Sequence, residues 1–236
     1  AKPRSMAAKE RFAAAFITLM LMALQSSAEE DSASAGQKVY VDIFKFLNTN
    51  DPILSFAITT GSTTPCKVDF YRNTTASGTL FERFYWGLNR LRRREQIYHE
   101  SLKGEFKNSG TVATEGLNTM YVSKDAEDQG SRDPYINYES IYSVEKIEYQ
   151  SGDDKCAIFA IKPGGDSRVS HSYEFRIRSS AVADSSEPSC FSDVQGFLNK
   201  LRNQRLQAPQ TAMFINCRQK CVDNLSCRSY MTLGPQ

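Results

Sequence analysis

Histidine and tryptophan are scarce in this chain, whose 236 residues include two histidines and one tryptophan. His99 and His171 lie far apart, and the sequence has no HExxH, no GxSxG and no glycine-rich phosphate loop. Such motifs hold a nucleophile, a base or a metal at fixed spacing. Their absence argues against the common hydrolases and nucleotide-dependent enzymes. We expect a protein that is not an enzyme and carries no cofactor.

An excess of positive charge is also missing, since residues 29–236 contain 25 Lys and Arg against 26 Asp and Glu. A nucleic-acid backbone is bound by concentrated Lys and Arg, so no nucleic-acid partner is expected. The densest basic cluster covers residues 90–94 and holds four arginines. We interpret it as a polar turn between two predicted strands rather than as a polyanion site.

Long apolar runs are limited to residues 12–24. Lys9 and Arg11 precede this run and Ser26-Ser27-Ala28 follows it, an order typical of a secretory signal peptide. We predict a signal peptide over residues 1–28, with residues 1–5, before Met6, interpreted as translated upstream sequence or the remnant of an incomplete one. The run is shorter than the roughly 20 residues that span a bilayer. The expectation is a secreted, extracellular protein without a membrane segment, formed by one domain over residues 29–236.

Six cysteines lie in residues 29–236, an even number that fits three disulfides in an oxidising compartment. They are Cys66, Cys156, Cys190, Cys217, Cys221 and Cys227. The last three are spaced without a C-x2-C pair or a nearby histidine, so we expect no metal site. Two N-glycosylation sequons begin at Asn73 and Asn224 and agree with secretion.

Alternating or β-branched apolar residues predict eight strands separated by turn residues. They cover residues 53–60, 66–71, 79–88, 95–106, 119–123, 138–149, 156–161 and 171–178. A short helix over 40–47 comes first, and apolar residues at three- and four-residue spacing over 191–201 predict an amphipathic helix at the end. The pattern favours an all-β fold, an antiparallel eight-stranded closed barrel with the terminal helix packed on it, and residues 217–236 form a cysteine-rich tail.

Aromatic residues concentrate in two predicted strands, one holding Phe81, Phe84, Tyr85 and Trp86 and the other holding Tyr138, Tyr142 and Tyr149. In a barrel half of such side chains point inward. With carboxylates nearby they would suit an amine cation, whereas ordinary core packing explains any single ring. The candidate carboxylates are Glu82, Glu139, Glu148 and Glu174.

The ordered features resemble the tick salivary lipocalins of the histamine-binding protein family. The resemblance rests on the opening DIFKFL at 42–47 with PCKV at 65–68, and on CAI at 156–158, YEFR at 173–176 and INC at 215–217. It implies a lipocalin-type barrel and covers nearly all of residues 29–236.

The family's amine-binding pattern is Cys-Asp-aliphatic, then Glu-Leu-aromatic, then a further cysteine. This chain keeps the order, with 15 residues between Ile158 and Glu174 and 13 between Arg176 and Cys190. It has Ala157 in place of the aspartate, and Phe175 and Arg176 in place of leucine and the aromatic residue. Of the two carboxylates in the pattern, Glu174 alone remains.

The resemblance also implies the pairs Cys66–Cys217 and Cys156–Cys190, which leave Cys221 with Cys227. Because this tail extends beyond the family's usual last cysteine, Cys221 stays an alternative partner for Cys66.

By this resemblance the predicted function is sequestration of a biogenic amine, histamine or serotonin, which would suppress host inflammatory defence. Glu174 is the predicted ammonium partner, and Trp86 and Tyr85 are the predicted aromatic walls. One alternative is an eicosanoid, leukotriene or thromboxane, with its carboxylate on Arg176 or Arg83. The other is a host protein, such as a complement component, held by the outer surface or the loop at 107–134. A monomer is expected.

Overall fold

The structure, a computed structural model, describes residues 41–59, 66–89, 94–108, 116–125, 141–164, 171–182, 188–201 and 206–233. The predicted signal peptide at 1–28 lies outside these ranges, as do Tyr138, Glu139, Arg90–Arg93 and most of the 107–134 loop. No helix in the described ranges is long and apolar enough to cross a membrane.

Eight antiparallel strands form one closed barrel in sequence order, because β1 pairs with both β2 and β8. The strands are β1 (Ile53–Ala57), β2 (Cys66–Thr75), β3 (Gly78–Asn89), β4 (Arg94–Lys107), β5 (Thr119–Lys124), β6 (Ile141–Gln150), β7 (Cys156–Pro163) and β8 (Ser172–Arg178). A closed meander of this kind is a lipocalin-type fold and leaves no unpaired sheet edge. The predicted fold class and the order of the eight strands are confirmed.

One end of the barrel is closed by α1 (Ile43–Leu47), the predicted short helix. Asp42 begins it, accepting a hydrogen bond from the backbone N–H of Lys45 over 3.2 Å, as an N-cap residue does. Ile43, Phe46 and Leu47 are fully buried and pack against inward-facing residues. This inner apolar cluster includes Ile53, Tyr71, Phe81, Leu102, Phe106, Met120, Val122, Ile147, Ala157, Phe159 and Ile161.

A second apolar cluster lies on the outer face of the barrel, beneath the C-terminal helices. The helices are α2 (Cys190–Lys200), α3 (Thr211–Asp223) and α4 (Leu225–Leu233), preceded by a 3-10 turn at Ser179–Val182. Phe214 of α3 is fully buried, and its ring lies 4.9 Å from that of Phe56 and 5.5 Å from that of Phe175. The prediction of a single terminal helix is wrong, since the cysteine-rich tail forms two more helices.

The three disulfides are Cys66–Cys217, Cys156–Cys190 and Cys221–Cys227, and all six cysteines are used. The first two join outward-facing strand residues to α3 and α2, and the third links α3 to α4. The pairings implied by the resemblance are confirmed, and the exchange of Cys217 for Cys221 does not occur.

Two irregularities in β6 change which side chains face the interior. Between the pairs Val122–Ser143 and Ser123–Ile141 the register shifts, which leaves Tyr142 as an extra residue. It shifts again between Ile147–Phe159 and Tyr149–Ile158. Extra residues of this kind break strict alternation. As a result Ile147 belongs to the inner cluster whereas Tyr149 belongs to the outer one.

Candidate functional site

Among the described residues, six with charged side chains are buried inside the barrel, and none of these residues is more than 7% exposed. Three are cations and three are anions, so the group is neutral as a whole when all are ionised. They are Lys67, Asp69, Arg83, Glu145, Glu174 and Arg176, from β2, β3, β6 and β8. We call them the interior charge network.

Arg83 is held by two of the carboxylates. Its Nε and Nη2 donate to Asp69 Oδ1 and Oδ2 over 2.9 and 2.8 Å, and its Nη1 donates to Glu145 Oε1 over 3.0 Å. Asp69 and Arg83 lie directly opposite each other in the pairing of β2 with β3. The guanidinium group therefore meets its carboxylate across adjacent strands, in the two-bond geometry that suits arginine.

Glu174 is already bound by two cations of the protein. Lys67 Nζ lies 2.5 Å from Glu174 Oε1, and Arg176 Nη2 lies 3.1 Å from Glu174 Oε2. The same Arg176 nitrogen lies 2.5 Å from Glu145 Oε2, which joins the two halves of the network. Ser55 is opposite both Lys67 and Arg176 in register. Because serine is small, it leaves room for these two long side chains.

The protonation states follow from these pairs. Burial alone would raise the pKa of Glu145, but Arg176 and Arg83 hold it far below its usual range. Burial likewise opposes the ionisation of Glu174, yet Lys67 and Arg176 lower the pKa of that carboxyl group. Burial lowers the pKa of the Lys67 ammonium, with Glu174 acting in the opposite direction. The carboxylates are thus stabilised as anions by fixed internal cations.

Tyrosines and one carboxylate lie on the interior side farther from α1. Tyr85 is opposite Lys67 in register, and its ring stacks on that of Tyr98 with centroids 5.1 Å apart. Glu100, two residues along β4 from Tyr98, is opposite Arg83. Burial raises the pKa of Tyr142, and the charge of Glu100 and a hydrogen bond with it raise that pKa further, although Arg83 lowers it. We call Tyr85, Tyr98, Tyr142 and Glu100 the tyrosine site.

The Glu100 carboxylate is only partly neutralised. Its side chain is 17% exposed, and Oε1 lies 3.5 Å from Nζ of the half-exposed Lys124. Its other oxygen, Oε2, is buried and accepts no hydrogen bond from the described residues. A buried carboxylate oxygen without a donor is costly, so it favours a ligand or water that can donate.

Similar unsatisfied atoms occur deeper in the barrel. Within the described part of the chain, Nε and Nη1 of Arg176 and Oγ of Ser55 are buried without hydrogen-bond partners. The Arg176 guanidinium lies over the Phe159 ring, with Cζ 4.1 Å from its centroid, so one face of the cation is covered by an aromatic surface.

The structure separates residues that were predicted to act together. Glu174 and Arg176 meet each other, and Tyr85 is on the same inner face, opposite Lys67 in register. Trp86 belongs to the outer cluster beneath the C-terminal helices. Successive residues of a strand point to opposite faces, so this placement corrects the expectation that both rings wall one cavity.

The other candidate carboxylates also lie outside the interior network. Glu82 is on the outer face, where it binds Arg72, His99 and Ser101. Glu148 is a partly exposed partner of Lys146. Among the residues that the structure describes, no group of three or more His, Cys, Asp or Glu side chains is placed to hold a metal ion.

Sequence reasoning missed Lys67, Asp69, Glu145 and Glu100. Lys67 and Asp69 alternate with Val68 and Phe70 in β2, a pattern usually interpreted as charges facing water and apolar residues facing the core. The opposite holds here, because Val68 and Phe70 belong to the outer cluster covered by the helices.

The two sequon asparagines occupy different settings. Asn73 is exposed near the β2–β3 turn, with φ 50°, and lines a groove of about 600 Å³. Asn224 lies between α3 and α4, where its Oδ1 accepts a hydrogen bond from the Cys227 N–H over 3.0 Å. Glycosylation at either position stays a prediction.

No family model matches the chain. No curated protein matches it either. Among solved structures, the chain is similar to Japanin from Rhipicephalus appendiculatus bound to cholesterol, with a TM-score of 0.34 and 8% sequence identity, over 58% of this chain and 80% of that one.

Proposed function

We propose that this protein is a secreted, non-enzymatic binder of a biogenic amine, such as histamine or serotonin, and that the ammonium group binds Glu100. The observation that carries the proposal is the buried, unpartnered Glu100 Oε2 beside three tyrosines. An amine supplies the hydrogen-bond donors that this oxygen lacks, and aromatic faces attract its positive charge.

The proposal moves the ammonium partner from Glu174 to Glu100. Glu174 has an internal ammonium on one oxygen and a guanidinium on the other, so a free amine would have to displace a tethered cation. Glu100 has one long, half-exposed ion pair with Lys124. This pair is long, at 3.5 Å, and water screens its half-exposed lysine, so a ligand can replace it at low cost.

Such a protein would act by sequestration, which requires affinity and abundance but no turnover. Three disulfides suit an extracellular setting. Capture of an inflammatory mediator of a host is the role that the family resemblance implies.

The test is titration calorimetry of the disulfide-intact protein with histamine and serotonin. Glu100→Gln should weaken binding roughly 10- to 100-fold, the loss of one charge-assisted hydrogen bond. The matched control is Glu105→Gln, because Glu105 is an exposed glutamate of the same strand that pairs with Lys107. Equal affinity of the wild type and the Glu100→Gln variant would overturn the assignment.

An eicosanoid or similar lipid acid is the second candidate. Its support is the pair of unpartnered donors on Arg176, Nε and Nη1, which could receive a carboxylate. Native mass spectrometry with histamine, serotonin and a leukotriene offered together separates the two. Retention of the leukotriene alone would favour this candidate, whereas retention of neither class would favour a protein partner at the outer surface.

A further inference from the structure

Lys67 is fixed inside the barrel by its position in β2. It follows Cys66, whose disulfide ties the strand to α3, and its side chain is 8% exposed. Its ammonium lies 2.5 Å from Glu174 Oε1. Beyond its backbone the side chain is a butylammonium ion, the same chemical class as a primary amine ligand.

The surroundings of this ammonium resemble an occupied amine site. Glu174 supplies the anion, and Tyr85 is the residue opposite Lys67 on β3. Ser55 is opposite Lys67 on β1, and its buried Oγ has no hydrogen-bond partner among the described residues. An ammonium at this place therefore has a carboxylate acceptor, and a hydroxyl acceptor lies on the adjacent strand.

We propose that Lys67 is a tethered ammonium that occupies a second amine site, at Glu174, and closes it to free amines. The two sites share Tyr85 but have different carboxylates, Glu174 here and Glu100 in the tyrosine site. Substitutions at Lys67 and at Glu100 therefore test the inference and the proposed function separately. Under this proposal, Lys67 limits how many amine molecules the barrel binds.

Charge balance supports this assignment. The interior charge network contains three cations and three anions. Removing the Lys67 ammonium leaves one uncompensated negative charge in a buried site, which a low-dielectric interior strongly disfavours. A small alkylammonium ion would restore neutrality and fill the vacated volume, whereas a neutral molecule of the same shape would fill the volume alone.

The experiment is rescue of Lys67→Ala by n-butylammonium, with 1-butanol as the neutral isostere. The variant's Tm should rise with n-butylammonium concentration, as expected for a ligand that binds the native state, and much less with 1-butanol. The wild type, whose Glu174 is already paired with the Lys67 ammonium, should respond less, through the tyrosine site alone. Lys45→Ala, which removes an exposed lysine paired with Asp154, is the control substitution.

A second variant identifies the anion. Glu174→Gln added to Lys67→Ala should reduce the difference between n-butylammonium and 1-butanol to that of the wild type. In native mass spectrometry, Lys67→Ala should hold one histamine more than the wild type. A wild type that binds none would count against the tyrosine site, while an unchanged count on substitution would overturn the role of Lys67.

If Lys67→Ala does not fold in buffer, its refolding yield replaces Tm as the readout. The expected result is recovery of folded protein with n-butylammonium but not with 1-butanol. Equal effects of the two additives, or an effect of neither, would show that Lys67 contributes ordinary packing or pairing and holds no amine site.

Discussion

Arg83 donates two parallel hydrogen bonds to Asp69, from Nε to Oδ1 over 2.9 Å and from Nη2 to Oδ2 over 2.8 Å. The same side chain reaches Glu145 with its remaining terminal nitrogen. One planar cation thus joins two strands that are not neighbours, β2 and β6, across the barrel interior. The barrel is crossed by directional polar bonds where an apolar core would give non-directional contacts.

Arg83→Lys should destabilise the fold by about 3 kcal/mol, although the charge is kept. A lysine cannot reproduce the two-bond geometry or reach Glu145 at the same time, and it leaves buried carboxylate oxygens without donors. The midpoint of urea unfolding measures the change. Arg72→Lys is the control, because Arg72 is a partly exposed partner of Glu82 on the outer face. Equal losses of stability on Arg83→Lys and Arg72→Lys would contradict the central role of Arg83.

Acid should unfold the protein partly through Glu145 and Glu174. The pKa values of both carboxyl groups are lowered in the folded state. Their ionisation therefore contributes fully to the free energy of unfolding above the unfolded pKa of about 4.5, and this contribution is lost as the pH falls toward the folded pKa values. The free energy of unfolding, measured in urea from pH 7 to pH 2, should decline below about pH 4.5.

Glu145→Gln should be less stable at pH 7 and should show a shallower decline in acid. Glu148→Gln, which removes a partly exposed partner of Lys146, should keep the wild-type slope. If the Glu145→Gln and wild-type profiles run parallel, Glu145 does not carry the acid sensitivity.

The disulfides should differ in their effect on stability. Cys66–Cys217 closes a separation of 151 residues, whereas Cys221–Cys227 closes one of 6. Loop-closure entropy gives about 5 kcal/mol for the long loop and about 2 kcal/mol for the short one. Paired Cys→Ser substitutions, compared by thermal unfolding, should therefore lower Tm more for Cys66 with Cys217. A larger loss from the short loop would mean that α3–α4 packing depends on its disulfide.

Phe214→Ala should lower the free energy of unfolding by about 4 kcal/mol, because a large side chain is removed from a packed cluster. Phe214 is fully buried against Phe56, Phe175 and Phe191. The neighbouring Ile215 is 41% exposed, so Ile215→Ala is a matched control with a small expected effect. Similar losses from both would show that α3 does not dock through Phe214.

Several parts of the fold follow from local sequence patterns. Eight alternating segments with turn residues between them indicated eight antiparallel strands, because adjacent strands in such a series pair through short connections. The spacing of Phe191, Val194 and Leu198 likewise indicated α2. The helix α3 was missed although Phe214, Cys217 and Cys221 have helical spacing and form its buried face. From the sequence we predict only a cysteine-rich tail over residues 217–236.

The candidate site could be predicted from the sequence less well than the fold. Alternation in β2 distinguishes a face with Lys67 and Asp69 from a face with Val68 and Phe70, but the period of two does not say which face is inside. That choice depends on the C-terminal helices, which cover the apolar face from outside. The break in alternation within β6 similarly depends on its pairing with β5 and β7.

The sequence alone determined the number and order of the strands, the short N-terminal helix and the even set of cysteines, because these depend on patterns within a few residues. The charge network within part of the barrel interior, and the contact of Glu174 with Lys67, follow from the tertiary structure alone. Those two residues are 107 positions apart, and their contact exists only after the barrel closes. Burial then makes the pairing of each charge decisive, since an unpaired ion in a low-dielectric interior is far more costly than one in water.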